Sequence, residues 1–454
     1  MTRILAIGIV VLTVVTAHSA WAQDAPAVPM SLNEAIDRAV AASHRIAESI
    51  ARQEGAQAAI RTRETSDAPT FGVSGGYTRT NHVDVFGVPQ PGGVFRVIYP
   101  DIPDNYFSRA SFQWPIYNGG RTDALVRAAE AEARASTQDV EVTRADLRLE
   151  VARTYWALVT ATATVSVVQE AVARADAHLA DVRSRFDNGL LPPNDVSAAE
   201  AQRSREEIQL IEARNVRSSA LEELRRLVGV TGDVVPTEPL SAAPVPPPQT
   251  TPGAAVPAAA VQATSGITFL LPIERAEQRA LMERIAASEE RVEAIAAGLR
   301  PTVSLLANGD YANPNARIFP REGLWQTSWE LGVAVNWTLW DGGRVAAESA
   351  EAQAATRALQ ARYAETTSLI ATDVRQRQLD LASARAALIA ADAAVASATE
   401  TRRVLGERFD VGVATSTEVL EAQLALLQAA LDRTRTLASI RLAEARLERA
   451  LGRH

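Results

Sequence analysis

Trp337-Thr338-Leu339-Trp340-Asp341-Gly342-Gly343-Arg344 marks the point where one periodicity ends and another begins. Upstream of it, Trp329, Leu331, Val333, Val335, Trp337 and Leu339 alternate with Glu330, Gly332, Ala334, Asn336 and Thr338. Strict alternation of this kind gives a strand one apolar and one polar face. Downstream, a long Ala/Glu/Arg/Leu pattern of helical period starts at once. The Gly-Gly pair is the hinge, because glycine turns sharply without steric cost. A second copy reads Trp114-Pro115-Ile116-Tyr117-Asn118-Gly119-Gly120-Arg121, at an offset of 223 residues. The same offset carries Phe186 to Phe409, Gly189 to Gly412, Val196 to Val419 and Gly229 to Gly452. The chain is therefore an internal duplication of strand, long helix, tip and returning helix.

Composition narrows the function. A net charge of −8 argues against nucleic acid as a partner. With no cysteine there is no disulfide and no thiolate metal site, and five scattered histidines offer no ligand cluster. No cofactor and no metal are expected. A P-loop, a Ser-His-Asp arrangement in context and a His/Cys cluster are all absent, so an enzyme reading has no support. Residues 1–22 read as a signal peptide: Arg3, an apolar run from Ile4 to Thr16, then Ala20-Trp21-Ala22 before Gln23. An uncleaved anchor helix is the alternative. No later segment reads as a transmembrane helix, so membrane insertion of an exported chain would have to use strands.

The first repeat is assigned to residues 23–229. A helix is expected from Ser31 to about Ser66, opened by the capping box Ser31-Leu32-Asn33-Glu34. A strand hairpin over 69–117 follows, with Phe71, Val73, Gly75 and Tyr77 on one face and Ala110, Phe112, Trp114 and Ile116 on the returning strand. Residues 81–105 between them read as an exposed loop. The second repeat, 272–454, has a helix from about Pro272 to Gly298 and a hairpin over 301–340. Trp325 and Trp329 stand at one end of that hairpin; Trp337, Trp340, Trp114 and Tyr117 stand at the other. Aromatics at both ends of apolar-faced strands match the girdles of a membrane β-barrel, although a half-buried soluble sandwich alternates in the same way. Four strands cannot close a barrel, since the smallest have about eight. Three copies would supply twelve. The helices after Gly120 and Gly343 would each run roughly 100 Å at 1.5 Å per residue. Residues 230–271, rich in Pro and Ala, read as an equatorial linker wrapping the outside at mid-height.

Each long helix ends in one signature, Arg185-Phe186-Asp187-Asn188-Gly189 and Arg408-Phe409-Asp410-Val411-Gly412. The tips near 186–195 and 409–418 then lead into the returning helices. With the signal peptide, the Ser-Leu-x-Glu-Ala-Ile opening, the strand–Gly-Gly-Arg junctions and these Arg-Phe-x-x-Gly tips, the whole mature chain resembles the TolC family of outer-membrane efflux proteins. The resemblance implies a mainly α fold: a trimeric periplasmic α-barrel of duplicated hairpins, below a 12-stranded outer-membrane β-barrel to which each chain gives four strands. It implies a passive export duct in a tripartite efflux or type I secretion system. Its partners would be two further copies, outer-membrane lipid, a periplasmic adaptor and an inner-membrane transporter. The residues matching the family's pore constriction are Glu418, Glu421, Phe409, Asn194 and Asp195. Glu418 and Glu421 would stack two carboxylate rings, with pKa values raised by repulsion; a capping box at Thr415 and a solvated surface charge are the local alternatives. Phe409 lacks a hydroxyl the family's gate uses, and Ala414 stands where an arginine is usual. Gly189, Leu190, Gly412 and Val413 are the implied adaptor-docking tips. A trimeric coiled-coil adhesin would not need two aromatic-girdled hairpins. A periplasmic adaptor would carry one helical hairpin, not two.

Overall fold

A computed structural model describes residues 28–93, 95–241 and 274–453. The expected signal peptide and most of the expected linker lie outside the described residues. In chain order the elements are β1 (Val28–Met30), α1 (Leu32–Ala42), α2 (His44–Glu64), β2 (Thr70–Arg79), β3 (Phe86–Pro89), β4 (Phe95–Tyr99) and β5 (Asp104–Tyr117). Then come α3 (Arg121–Asp187), α4 (Pro193–Val228), β6 (Val234–Pro236), α5 (Ala276–Ala296), β7 (Thr302–Asn313), β8 (Gln326–Asn336), α6 (Arg344–Asp410) and α7 (Ser416–Leu451). The duplication is kept to the residue: α3 and α6 each have 67 residues, α4 and α7 each have 36. The chain forms two compact units, one of 28–43, 150–241 and 383–442, the other of 44–149, 274–382 and 443–453.

The second unit holds a four-stranded antiparallel sheet in the order β2-β5-β7-β8. Its register puts Phe71 beside Phe112, Phe112 beside Ala307 and Ala307 beside Leu331. Because strands alternate, one face collects Phe71, Val73, Trp114, Leu305, Leu331 and Val333, and the other collects Ser74, Arg109, Asp310 and Ser328. The apolar face is open: Trp329 is 79% and Val333 64% exposed. On the polar face Arg109 Nε donates to Asp310 Oδ1 at 2.6 Å. At one end Tyr77 meets Tyr106 (5.0 Å between centroids), Tyr106 meets Trp325 (6.0 Å) and Trp325 stacks on Tyr311 (4.8 Å). A bulge skips Ile116, so Tyr117 rather than Ile116 pairs with Val303 and joins the apolar face.

Each strand-to-helix junction is closed by a short polar side chain. Asn118 Oδ1 accepts from the amides of Gly120 (3.1 Å) and Thr122 (3.4 Å), while Asp341 accepts from those of Gly343 (2.9 Å) and Val345 (2.8 Å). Gly119 and Gly342, at φ +72° and +71°, supply the left-handed turn. In the same unit Arg449 ties α7 to α3 and α5, bonding Asp146 (3.0 and 2.8 Å) and Glu277 (2.5 Å).

Several expectations need correcting. The first helix breaks at Ser43, whose backbone is extended (φ −73°, ψ 117°), into α1 and α2. The stretch 81–105 contains the hairpin β3–β4, because Phe86, Val88, Phe95 and Val97 can pair across a Gly-containing turn. The last strand stops at Asn336, short of Trp340. The start of the linker forms β6, which pairs in parallel with β1. One 18-residue window in α3 and one in α6 are apolar enough to cross a membrane by length and composition, against the expectation that no later segment would be. A third of the α3 window is buried and none of the α6 window.

Candidate functional site

The tips lie in the first unit, and a heptad seam leads to them. Val168, Ala171, Ala175, His178, Val182 and Arg185 follow one another on α3 at spacings of three and four, the period that keeps one face toward a partner helix. All but Arg185 are buried. Val168 and Ala171 pack with Leu210 of α4 and Leu427 of α7. Val182 packs with Phe409 of α6 and Val419 of α7, and Leu191, Val196 and Ala414 close the cluster.

Arg185 ends this seam and clasps the neighbouring repeat. Its guanidinium carbon lies 4.3 Å from the Phe409 ring centroid, a cation–π arrangement. Nη1 donates to the Phe409 carbonyl at 2.8 Å and Nη2 to Asp410 Oδ1 at 2.9 Å, while Asp181 holds Nε from one turn back at 3.1 Å. One turn deeper, His178 Nε2 shares a 3.1 Å hydrogen bond with Ser416 Oγ, and its ring lies 5.4 Å from Phe409. Burial pushes the His178 pKa down; Asp181 opposes this and Arg185 adds to it.

Both helix ends are Schellman turns. The amides of Gly189 and Leu190 donate to Phe186 O (2.8 Å) and Arg185 O (2.9 Å). Those of Gly412 and Val413 donate to Phe409 O (3.0 Å) and Arg408 O (2.8 Å). The glycines sit at φ +72° and +76° with open space where a Cβ would go. Leu190 and Val413 beside them are exposed, the first at 72%.

The residues expected at a constriction divide into two groups. Phe409 is only 4% exposed and packs into the seam of its own chain. Glu418 and Glu421 are exposed on the first turn and a half of α7. The Glu418 carboxylate accepts from the Thr415 amide (2.6 Å) and hydroxyl (2.9 Å), and Thr415 Oγ1 accepts from the Glu418 amide (3.3 Å). This reciprocal capping box holds the Glu418 carboxyl below its ordinary range within the single chain. Asn194 Nδ2 donates to Asp195 Oδ1 at 3.3 Å at the start of α4. Asn194 is exposed and Asp195 half-buried. The seam roles of His178, Arg185 and Ser416 escaped the sequence reading, which had Arg185 only as part of the tip signature; the heptad spacing through Val168 and Val182 carried the signal. Among the described residues no group of His, Cys, Asp and Glu is placed to hold a metal ion.

The sequence pattern of the outer membrane efflux protein family matches residues 35–230 and 274–453. The chain belongs to that family. An outer membrane efflux protein is the outer-membrane channel of an efflux system, and its place is the outer membrane, reaching into the periplasm. This outer membrane efflux protein is 25% identical over 314 residues to the outer membrane protein TolC of Vibrio cholerae, an alignment covering 66% of each chain. In structure it resembles the outer membrane protein VceC of Vibrio cholerae, with a TM-score of 0.70 at 20% identity, covering 93% of this chain and 96% of that one. It also resembles the CmeC outer membrane channel of Campylobacter jejuni, with a TM-score of 0.72 at 18% identity, covering 93% and 85%. The fold of an α-barrel wall with a β-domain is shared with both.

Proposed function

We propose that three copies of this chain form a passive export duct of a tripartite efflux or type I secretion system. The observation that carries this reading is the sheet β2-β5-β7-β8, with one open apolar face and two unpaired edges. In lipid each unpaired backbone group costs several kcal/mol, so an apolar-faced sheet of four strands calls for edge-to-edge closure with other copies. Pairing β8 of one copy with β2 of the next closes twelve strands over three chains. The helical hairpins continue the duct into the periplasm. The exposed Schellman tips, Gly189-Leu190 and Gly412-Val413, offer an apolar surface to a periplasmic adaptor joined to an inner-membrane transporter. Glu418 and Glu421, three residues apart on α7, form acidic rings at the duct entrance, with Asn194 and Asp195 contributing from the first repeat.

Single-channel recording in planar bilayers tests this. The purified protein is expected to give discrete, cation-preferring openings that a multivalent cation added at the tip side blocks. The double variant Glu418→Gln, Glu421→Gln removes the charge while glutamine can still serve the capping box. It should lose both the preference and the block. Unchanged selectivity would remove the rings; silence from wild type and variants alike, with oligomers inserted, would remove the duct. For the docking tip, Gly412→Trp should abolish pump-driven efflux while leaving the channel conducting, and normal efflux would count against the contact.

A further inference from the structure

Of the two copies of the tip signature, only one is satisfied among the described residues of the chain. Arg185 stacks on Phe409 and bonds its carbonyl and the Asp410 carboxylate, and Phe409 is buried. The offset of 223 turns this set around: Arg185 becomes Arg408, Phe409 becomes Phe186 and Asp410 becomes Asp187. The backbone presenting them is the same, since both helices end at the corresponding Asp and both turn through a Schellman glycine. The side chains are not in the same state. Phe186 is 40% exposed, and Arg408 and Asp187 are exposed. Among the described residues the Arg408 side chain makes neither hydrogen bond nor ion pair, its charge only helping to lower the pKa of Glu418. The whole seam face repeats the contrast. Ala391, Ala394, Ala398, Thr401, Leu405 and Arg408 of α6 occupy the heptad positions that α3 mostly buries, and none of them is buried.

We infer that a second copy of this chain supplies the missing half: Arg408 of one copy stacks on Phe186 of the next and pairs with its Asp187. The contact is head-to-tail, since it joins two different surfaces, and such contacts form a ring when the rotation between copies closes. It rests on the proposed oligomer and specifies how its tips are held. Charge and apolar surface both match, because Leu405 replaces Val182 on one side and Val196 replaces Val419 on the other. Three supports of the inner seam have no counterpart here. His178, Asp181 and Ser416 correspond to Thr401, Val404 and Pro193, so the bonds of His178 to Ser416 and of Asp181 to the arginine are lost. The clasp between copies is therefore the weaker one, and the tip parts between chains before it parts within one.

The chain has no cysteine, so paired cysteines report proximity cleanly. The variant Arg408→Cys with Asp187→Cys, treated with a short bis-maleimide, should give covalent dimers and trimers on a denaturing gel. Arg185→Cys with Asp410→Cys should react to a product of single-chain size, and each single-cysteine variant should give no ladder. An oligomer intact by light scattering in which the Arg408/Asp187 pair stays at single-chain size would overturn the clasp and leave the oligomer standing. A ladder from the single variants would also overturn it. A protein that is monomeric in solution would overturn the oligomer and the clasp together.

Discussion

Replacing Arg185 with alanine tests the seam that joins the two tips. The side chain is about one-fifth exposed, so its stack on Phe409 falls between the exposed and desolvated cases, worth about 1–2 kcal/mol. The bond to the Phe409 carbonyl adds about 1 kcal/mol. Asp410 is well exposed, so the ion pair with it adds only a few tenths, about 0.5 kcal/mol. The loss is therefore about 2.5–3.5 kcal/mol, borne locally. At about 1.4 kcal/mol per factor of ten, opening of the tip becomes about 60- to 300-fold more frequent. Hydrogen exchange reads this directly at the amides of Gly412 and Val413, which donate into the last turn of α6. Their protection should fall by that factor while amides around Val168 keep theirs. Arg185→Lys keeps the charge but not the planar fork, and should lie between. Unchanged protection at Gly412 and Val413 in Arg185→Ala would show that the clasp contributes nothing and that Val182 and Val419 alone hold the seam.

Two further outcomes follow from the same geometry. Gly119 and Gly342 share a left-handed φ, yet a Cβ on Gly119 would stand 2.6 Å from Arg300 Cβ and one on Gly342 would meet nothing. Gly119→Ala should cost about 2–4 kcal/mol and Gly342→Ala about 1 kcal/mol, a difference thermal melting of the two variants would resolve. The His178 pKa is depressed in the fold, so folding favours its neutral form. The stability it contributes is full above the ordinary histidine value of about 6.5 and is lost as pH falls below it toward the folded value. Tip protection in wild type should fall over that window, and His178→Gln should flatten the profile; an identical profile in both would assign the loss elsewhere.

The duplication made most of the architecture legible. Once Trp114 is laid on Trp337, the ends of α3 and α4 fix those of α6 and α7, and period-2 alternation fixes which strand residues share a face. The break at Ser43 was not legible, because nothing in a Ser flanked by helix formers forces an extended backbone. The β1–β6 pair joins three-residue segments some two hundred residues apart, too short for any pattern to register. At the site, Glu418 was visible as a cap and the glycines as turns. The burial of Phe409 was invisible, since the identical Phe186 is half-open; the difference lies wholly in what packs against each ring.

The equal lengths of the corresponding helices have a consequence for how this chain can change. Adding one turn to a single limb would displace its end by about 5.4 Å and misalign every heptad contact beyond it. Arg185 would then miss Phe409, and Arg408 would miss the counterpart proposed for it in a second copy. A longer or shorter duct can therefore arise only by matched edits in all four limbs. In this chain the two halves share a common measure, 67 and 36 residues, although their residues have diverged.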